Sequence, residues 1–186
     1  GPVHAYAAQG ARTRTFFERL YSRLGPAQSG VTPNAYGIGN SLQPRRMFDG
    51  GAPFDSRADQ RGGEDDMLFA SWREAGATFA WAADAVVIEH LGVERTKLAH
   101  GLKRSFAYGQ GPCETAWNDR QHLTLVRHMC VGALQATMFG VLSAVTAPIS
   151  RTFALEMLGR AARGAGKVFW FREQRFYGEA LIAQPA

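Results

Sequence analysis

Residues 62–76 read GGEDDMLFASWREAG, in which three acids stand between a pair of glycines and an apolar pattern of helical period. Acids in a first turn complement the positive end of the helix dipole, and a glycine after the last apolar residue is a common helix end. The pattern therefore predicts a helix over residues 65–75. Acids at this position more often stabilise a helix start than catalyse a reaction, so their chemistry depends on the surrounding sequence.

The segments around this helix alternate between helical and extended patterns. Upstream, residues 13–24 form one amphipathic helical face, and residues 34–48 combine a glycine-rich turn or strand with a short helix. Downstream, residues 78–90 predict two short strands, after which Thr96 is placed to cap a helix that ends at Gly109. Strands that alternate with helices predict an α/β layer structure.

Charge is distributed unevenly along the 186 residues, whose formal net charge is +5. Residues 1–92 carry nine Arg and no Lys against ten acids, whereas residues 93–186 carry twelve basic and six acidic residues. A basic half suits a phosphate-rich partner such as anionic lipid or a nucleotide diphosphate. Because the chain has no zinc-finger spacing, RNA-binding aromatic strand or run of Lys and Arg, we expect no nucleic-acid partner.

The last third of the chain contains 22 uncharged residues, 129–150, enough to cross the hydrocarbon core of a membrane. Basic residues on both sides argue against a single crossing, because both flanks favour the cytoplasmic side. We therefore expect a re-entrant or in-plane hairpin that breaks near Gly140. A single span and a helix pair buried in soluble protein are the alternatives. The predicted domains are residues 1–118 and a helical, membrane-associated region over residues 119–186.

Three segments accompany the acids in a particular order: YGIGN at residues 36–40, VVIEH ending at His90, and TKLAHGLKRSFAYGQG at residues 96–111. Over residues 1–111 this order resembles the second half of an inverting, nucleotide-sugar-dependent glycosyltransferase of family 2. The resemblance implies a partial GT-A fold, which is Rossmann-like. The nucleotide-binding half that comes first in that family is missing here, and residues 1–35 contain no D-x-D metal motif. On this interpretation the chain is a fragment that would itself be inactive.

The acids have a chemical role if the resemblance holds. A sugar hydroxyl is a weak nucleophile, and its attack on an anomeric carbon needs a carboxylate that takes its proton. The resemblance implies Asp65 as this general base and Glu64 as its neighbour in acceptor binding or orientation. Asp66 is a third acid, for which donor or acceptor binding, a salt bridge and a helix cap are all open.

The departing nucleoside diphosphate needs charge compensation, usually from a divalent ion, here Mg²⁺ or Mn²⁺, and from nearby cations. The resemblance places Gly39, Asn40 and Arg45 in the lining of the donor and acceptor site. It suggests that Arg104, with Lys103 as the competing candidate, approaches the diphosphate and that His90 contacts the metal or the diphosphate. Structural alternatives stay open for these side chains, since a histidine at a strand end and arginines on a solvated surface are common.

The implied activity is transfer of a sugar, with inversion, from a nucleotide-sugar donor to a lipid-linked or polysaccharide acceptor in bacterial exopolysaccharide assembly. Its expected place is the cytoplasmic face of the inner membrane. Two other classes remain open: a non-enzymatic module resting on anionic lipid, and a metal-dependent hydrolase using Asp65, Asp66 and His90. The sequence GAGK at residues 164–167 lacks the other residues of a phosphate-binding loop and is interpreted as a linker between helices.

Overall fold

A computed structural model describes residues 1–7, 13–48 and 64–172, which form a mixed α/β structure. The elements in chain order are β1 (Val3–Ala7), α1 (Arg14–Tyr21), β2 (Gly30–Thr32), α2 (Glu64–Glu74), β3 (Phe79–Trp81), β4 (Val87–Leu91), α3 (Leu98–Asn118), α4 (His122–Thr146) and α5 (Arg151–Val168). Short 3-10 helices cover Arg45–Phe48 and Val93–Thr96. The predicted α/β class is confirmed in these ranges, where the strands form two two-stranded sheets.

The described residues divide into two compact units. The first contains residues 1–6 and 21–90, and the second contains residues 7–20 and 91–172. The domain boundary expected after residue 118 falls inside the second unit, between α3 and α4. The division comes earlier because α3 packs against both α4 and α5.

The first unit contains all of β2 and β3 and all but the last residue of β1 and of β4. The Val87 amide donates to the Pro2 carbonyl at 3.0 Å, and the rings of Tyr6 and His90 lie 5.7 Å apart. Because the starts of β1 and β4 meet and their ends meet, these paired strands run parallel. Strands β2 and β3 pair antiparallel. The two strands predicted within residues 78–90 are confirmed as β3 and β4.

The helix predicted over residues 65–75 is confirmed as α2, whose first turn holds all three acids. The helix is followed by Gly76 at φ +84°, a left-handed conformation that costs glycine little because it has no Cβ. The Gly76 amide donates to the Arg73 carbonyl, and the Ala77 amide donates to the Trp72 carbonyl, both at 2.9 Å. These two bonds are those of a Schellman motif, which satisfies carbonyls at the helix end.

Helix α3 in the second unit is longer than its sequence pattern predicts. The end expected at Gly109 is wrong, because α3 continues through Pro112. A Cβ at Gly109 would lie 2.1 Å from the Arg163 carbonyl oxygen, so this glycine allows α5 to approach. Thr96 is not the N-cap either, since Lys97 occupies that position and forms no side-chain cap.

Helix α4 runs unbroken through Gly140, so the predicted break there is wrong. The chain turns instead at residues 147–150, and the Ser150 hydroxyl accepts a hydrogen bond from the Phe153 amide to cap α5. The linker interpretation of residues 164–167 is also wrong, because these residues lie inside α5.

Glycines on two faces of α5 bring three helices together. A Cβ at Gly164 would lie 2.6 Å from the backbone nitrogen of Ala136 on α4. A Cβ at Gly166 would lie 2.0 Å from the carbonyl oxygen of Phe106 on α3. Helix α5 therefore packs backbone to backbone against both of its neighbours, which leaves no room for larger side chains at these points.

Candidate active site

Asp65 and the turn over residues 36–40 lie together in the first unit. The half-buried Asp65 carboxylate accepts a hydrogen bond from the Ile38 amide at 3.4 Å through Oδ2 and from the Asp66 amide at 3.0 Å through Oδ1. Oδ2 also lies 3.5 Å from the position that a Gly37 Cβ would take. Two segments singled out in the sequence therefore meet, with the acid facing the backbone of the glycine-rich turn.

Arg23 lies against the same turn and was not predicted as a site residue. Its Cδ and Nε lie 3.1 and 3.4 Å from the Gly37 Cβ position, and its Nη2 lies 2.9 Å from the Gly39 Cβ position. The guanidinium pairs with the Glu89 carboxylate at 3.5 Å. Both glycines thus allow the turn to approach a cation. An arginine just after an amphipathic helix carries no sequence signal that distinguishes it from a surface residue.

The two acids beside Asp65 differ in their surroundings. The Oε2 atom of Glu64 is buried and has no hydrogen-bond partner in the described part of the chain. Asp66 is exposed as a residue, yet partial burial of its carboxyl raises its pKa, and the neighbouring carboxylates of Asp65 and Glu64 raise the pKa further. Each additional negative charge in this turn therefore disfavours ionisation of Asp66.

Asn40 holds backbone segments together. Its Nδ2 atom donates to the Pro2 carbonyl at 3.0 Å and to the Ala85 carbonyl at 2.6 Å. These bonds tie the turn to the start of β1 and to the loop before β4. The amide nitrogen is thus occupied within the protein, and the predicted part of Asn40 in donor or acceptor binding stays a prediction.

Arg45 and His90 are both exposed. Arg45 begins the short 3-10 helix, and His90 is the fourth residue of β4, where its ring edge contacts Tyr6. Within the described ranges, no group of three or more His, Cys, Asp or Glu side chains is arranged to hold a metal ion. The predicted metal contact of His90 stays a prediction.

Arg104 belongs to the second unit, where α3 buries its side chain. Its Nη2 atom donates to the Tyr108 hydroxyl at 2.8 Å, and its guanidinium carbon lies 4.8 Å from the centre of the Tyr108 ring. This cation–π contact and hydrogen bond give Arg104 a packing role. The diphosphate contact suggested for Arg104 is not tested by this arrangement.

A pocket of about 440 Å³ lies beside α2 in the first unit. Phe69 and Trp72, one and two turns after Asp65 on the same face of α2, line it. Gly37, which contacts the Asp65 carboxylate, lines it as well. Trp72 is half-buried, whereas Trp81, which also lines the pocket, is 5% exposed. Asp65 therefore stands at one end of a stripe of helix residues that forms a pocket wall.

Helix α4 in the second unit exposes an apolar face. Large side chains recur along it at helical spacing with half or more of their surface exposed: Leu123, Val126, Leu134, Val141 and Val145. By length and composition α4 could cross a membrane, and only 11% of its most apolar 18-residue window is buried. A helix in the core of a soluble protein would be mostly buried. Within residues 1–7, 13–48 and 64–172, the region expected to be membrane-associated thus contains a helix whose apolar face is largely exposed.

Comparison of the chain with protein-family models, with curated proteins and with solved structures gives no match.

Proposed function

We propose that this chain is the acceptor-side part of an inverting, nucleotide-sugar-dependent glycosyltransferase of the GT-A type, with Asp65 as the general base. The observation that carries the proposal is the position of the Asp65 carboxylate. It is half-buried at the start of α2, against the turn at Gly37 and Ile38, and beside a pocket wall formed by the same helix. A helix start holds a carboxylate rigidly and stabilises its negative charge.

The chemistry requires one proton transfer and one displacement. The carboxylate of Asp65 takes the proton of an acceptor hydroxyl while the hydroxyl oxygen attacks the anomeric carbon of the donor. The new glycosidic bond forms as the bond from that carbon to the diphosphate breaks, and the nucleoside diphosphate leaves with the bonding electrons. In this proposal Glu64 orients the acceptor, and its buried Oε2 atom has no hydrogen-bond partner among the described residues.

When bound, a divalent ion such as Mg²⁺ or Mn²⁺ would compensate the charge of the leaving diphosphate. The described residues contain no preformed cluster of three ligands, so His90 would contribute at most one contact among ligands from elsewhere. Arg45 is exposed, so its side chain would be accessible to a donor phosphate.

The proposed acceptor is lipid-linked or a glycan, and the proposed location is the cytoplasmic face of a bacterial inner membrane. The exposed apolar face of α4 supports attachment to a bilayer. The same face also supports the second candidate, a non-enzymatic membrane-peripheral module, in which the three acids only stabilise α2.

Turnover distinguishes the two candidates. The protein, together with any sequence that precedes it in its gene, is incubated with a panel of nucleotide sugars and acceptors, and products are followed by liquid chromatography. We expect Asp65→Asn to reduce transfer by about a thousandfold or more while nucleotide binding is retained. The matched control is Asp84→Asn, which removes an exposed carboxylate from the loop between β3 and β4. Full turnover by Asp65→Asn would remove Asp65 from the role of base.

A further inference from the structure

The pocket beside α2 has a lining that selects a particular ligand chemistry. Aromatic rings from three elements surround it: Tyr36 from the glycine-rich turn, Trp72 from α2, and Phe79 from β3. All three side chains are half-buried, so the rings keep surface that a ligand can contact. The volume of about 440 Å³ lies within the range of small-molecule sites, roughly 300–1,000 Å³.

The pocket walls are mainly apolar and also carry polar groups. Amide and hydroxyl side chains line it beside the aromatic rings, namely those of Asn34, Asn40, Ser41, Gln43 and Thr78. Among the described residues that line it, none has a charged side chain, and the Gly1 ammonium donates to the Asn40 carbonyl at 2.9 Å. A phosphate or carboxylate would lose its water there and gain at most this one ammonium from the described lining, which is unfavourable. The pocket therefore suits an uncharged ligand and does not suit a nucleoside diphosphate.

A sugar ring matches both features of this lining. Its C–H face is apolar and packs against aromatic rings, and its hydroxyls need hydrogen-bond partners when they leave water. We propose that the pocket binds an uncharged sugar residue of the acceptor, held against Trp72 and Tyr36. The identification as an acceptor rests on the proposed function. The position of Asp65 one turn before Phe69 supports it, because Phe69 lines the pocket and the base must be close to the sugar hydroxyl that reacts.

Binding tests the proposal without any need for turnover. Neutral disaccharides of glucose, galactose and mannose are titrated into the chain, with tryptophan fluorescence and saturation-transfer NMR as readouts. A matching disaccharide that carries a uronic acid is the charged probe. We expect at least one neutral disaccharide to bind. The form that carries a uronic acid should bind at least about tenfold more weakly.

Two variants locate the binding site. Trp72→Leu should weaken binding of the neutral disaccharide about tenfold, and Asn34→Ala should weaken it about fivefold. Asn34 is exposed, so its replacement should leave packing unchanged. Asn34→Ala therefore still tests the pocket if Trp72→Leu perturbs the fold. Trp117→Leu is the matched control, because Trp117 is 51% exposed and belongs to the second unit. Unchanged affinity in both Trp72→Leu and Asn34→Ala, or no binding of any neutral disaccharide, would overturn the proposal.

The outcomes separate this proposal from the proposed function. Asp65→Asn should keep disaccharide affinity within about twofold while abolishing transfer, because the base acts on one hydroxyl only. Saccharide binding that depends on Trp72 but is never accompanied by transfer supports the pocket and contradicts the transferase. Transfer that is insensitive to Trp72→Leu and Asn34→Ala supports the transferase and contradicts the pocket.

Discussion

The carbonyl oxygen of Gly164 on α5 lies 2.7 Å from the position that a Gly132 Cβ on α4 would take. The reciprocal contact is as close, since a Gly164 Cβ would lie 2.6 Å from the Ala136 backbone nitrogen. The two helices are thus held together where both lack a side chain. Backbone atoms cannot move aside as a flexible side chain can, so even a methyl group at Gly164 forces the helices apart.

Gly164→Ala should lower the free energy of unfolding by about 2 kcal/mol, the typical cost of overpacking less the gain in helix propensity. The control is Gly140→Ala on α4, where no heavy atom lies within 4 Å of the new Cβ. There the same substitution should raise stability by up to about 1 kcal/mol. Chemical denaturation followed by circular dichroism measures both variants, and equal effects would contradict close backbone packing at Gly164.

Gly37 should not tolerate a side chain, because its φ is +84° and a Cβ there would lie 3.1 Å from Cδ of Arg23. Gly37→Ala is expected to cost about 1–2 kcal/mol from the left-handed conformation alone. It should also shift the turn that contacts Asp65. Gly111→Ala is the control, since Gly111 lies in α3 with open space at its Cβ position. A melting temperature of Gly37→Ala at or above that of Gly111→Ala would contradict the conformation of the turn.

The raised pKa of Asp66 gives a prediction for the dependence of stability on pH. Partial burial and the carboxylates of Asp65 and Glu64 make the folded protein hold the Asp66 proton more tightly than the unfolded chain does. Over the pH range from the ordinary Asp pKa, about 3.8, to the raised folded value, the folded state therefore binds more protons. Stability contributed by this group falls as pH rises through that range and stays lower at neutral pH.

Asp66→Asn should therefore stabilise the protein at pH 7 and have little effect at pH 3, where Asp66 is protonated in both states. Because Asp66 is exposed, solvent screening limits the gain to about 0.3 kcal/mol. Thermal melting of the variant and of Asp84→Asn at both pH values measures the difference. Destabilisation by Asp66→Asn at pH 7 would show that the Asp66 carboxylate forms a favourable contact when ionised.

Local patterns in the sequence predicted the parts of the fold that local chemistry determines. The acids, the apolar period and Gly76 predicted α2 to within one residue at each end. The polar break within residues 78–90 separated β3 from β4. Helix caps and strand propensities act over a few residues, so one sequence contains the information needed for such elements.

Glycines inside helices were the main source of wrong predictions. Gly109 and Gly140 were both expected to end or break a helix, because glycine has low helix propensity. In the structure both lie within unbroken helices. Gly109 and Gly166 contact the backbone of a helix that is distant in sequence, and this role follows only from tertiary packing. Propensity is a weak predictor wherever such packing decides the conformation.

The candidate site was predictable in part. The resemblance, which is based on the order of the segments, assigned Asp65 and the turn at residues 36–40 to the same site. Arg23 and the aromatic pocket were not predicted, because their members come from separate elements that only the folded chain brings together. Trp72 illustrates the difference, since its apolar position on α2 is the same whether a helix face meets a core or a pocket.

Helix α4 should bind lipid through its exposed face. At about 1.5 Å per residue its 25 residues are roughly 37 Å long, which exceeds the hydrocarbon thickness of about 30 Å. Between Arg127 and Arg151 the sequence contains no Asp, Glu, Lys or Arg, and these two arginines can contact anionic headgroups at its ends. Length, exposed apolar surface and flanking charge therefore support the proposal that this face contacts a bilayer.

Leu134→Glu should test this directly, because Leu134 is 67% exposed and its replacement puts a charge in the centre of the apolar face without disturbing a packed core. We expect the affinity for vesicles that contain anionic lipid to fall about tenfold or more. The variant loses the leucine that would be buried in the bilayer, and the new carboxylate would have to enter the bilayer in its place. Ala70→Glu adds the same charge to an exposed position of α2 and serves as the control. Cosedimentation with vesicles measures both variants. Equal loss in Leu134→Glu and Ala70→Glu would mean that net charge alone governs binding, whereas no loss in either would exclude the α4 face as the lipid contact.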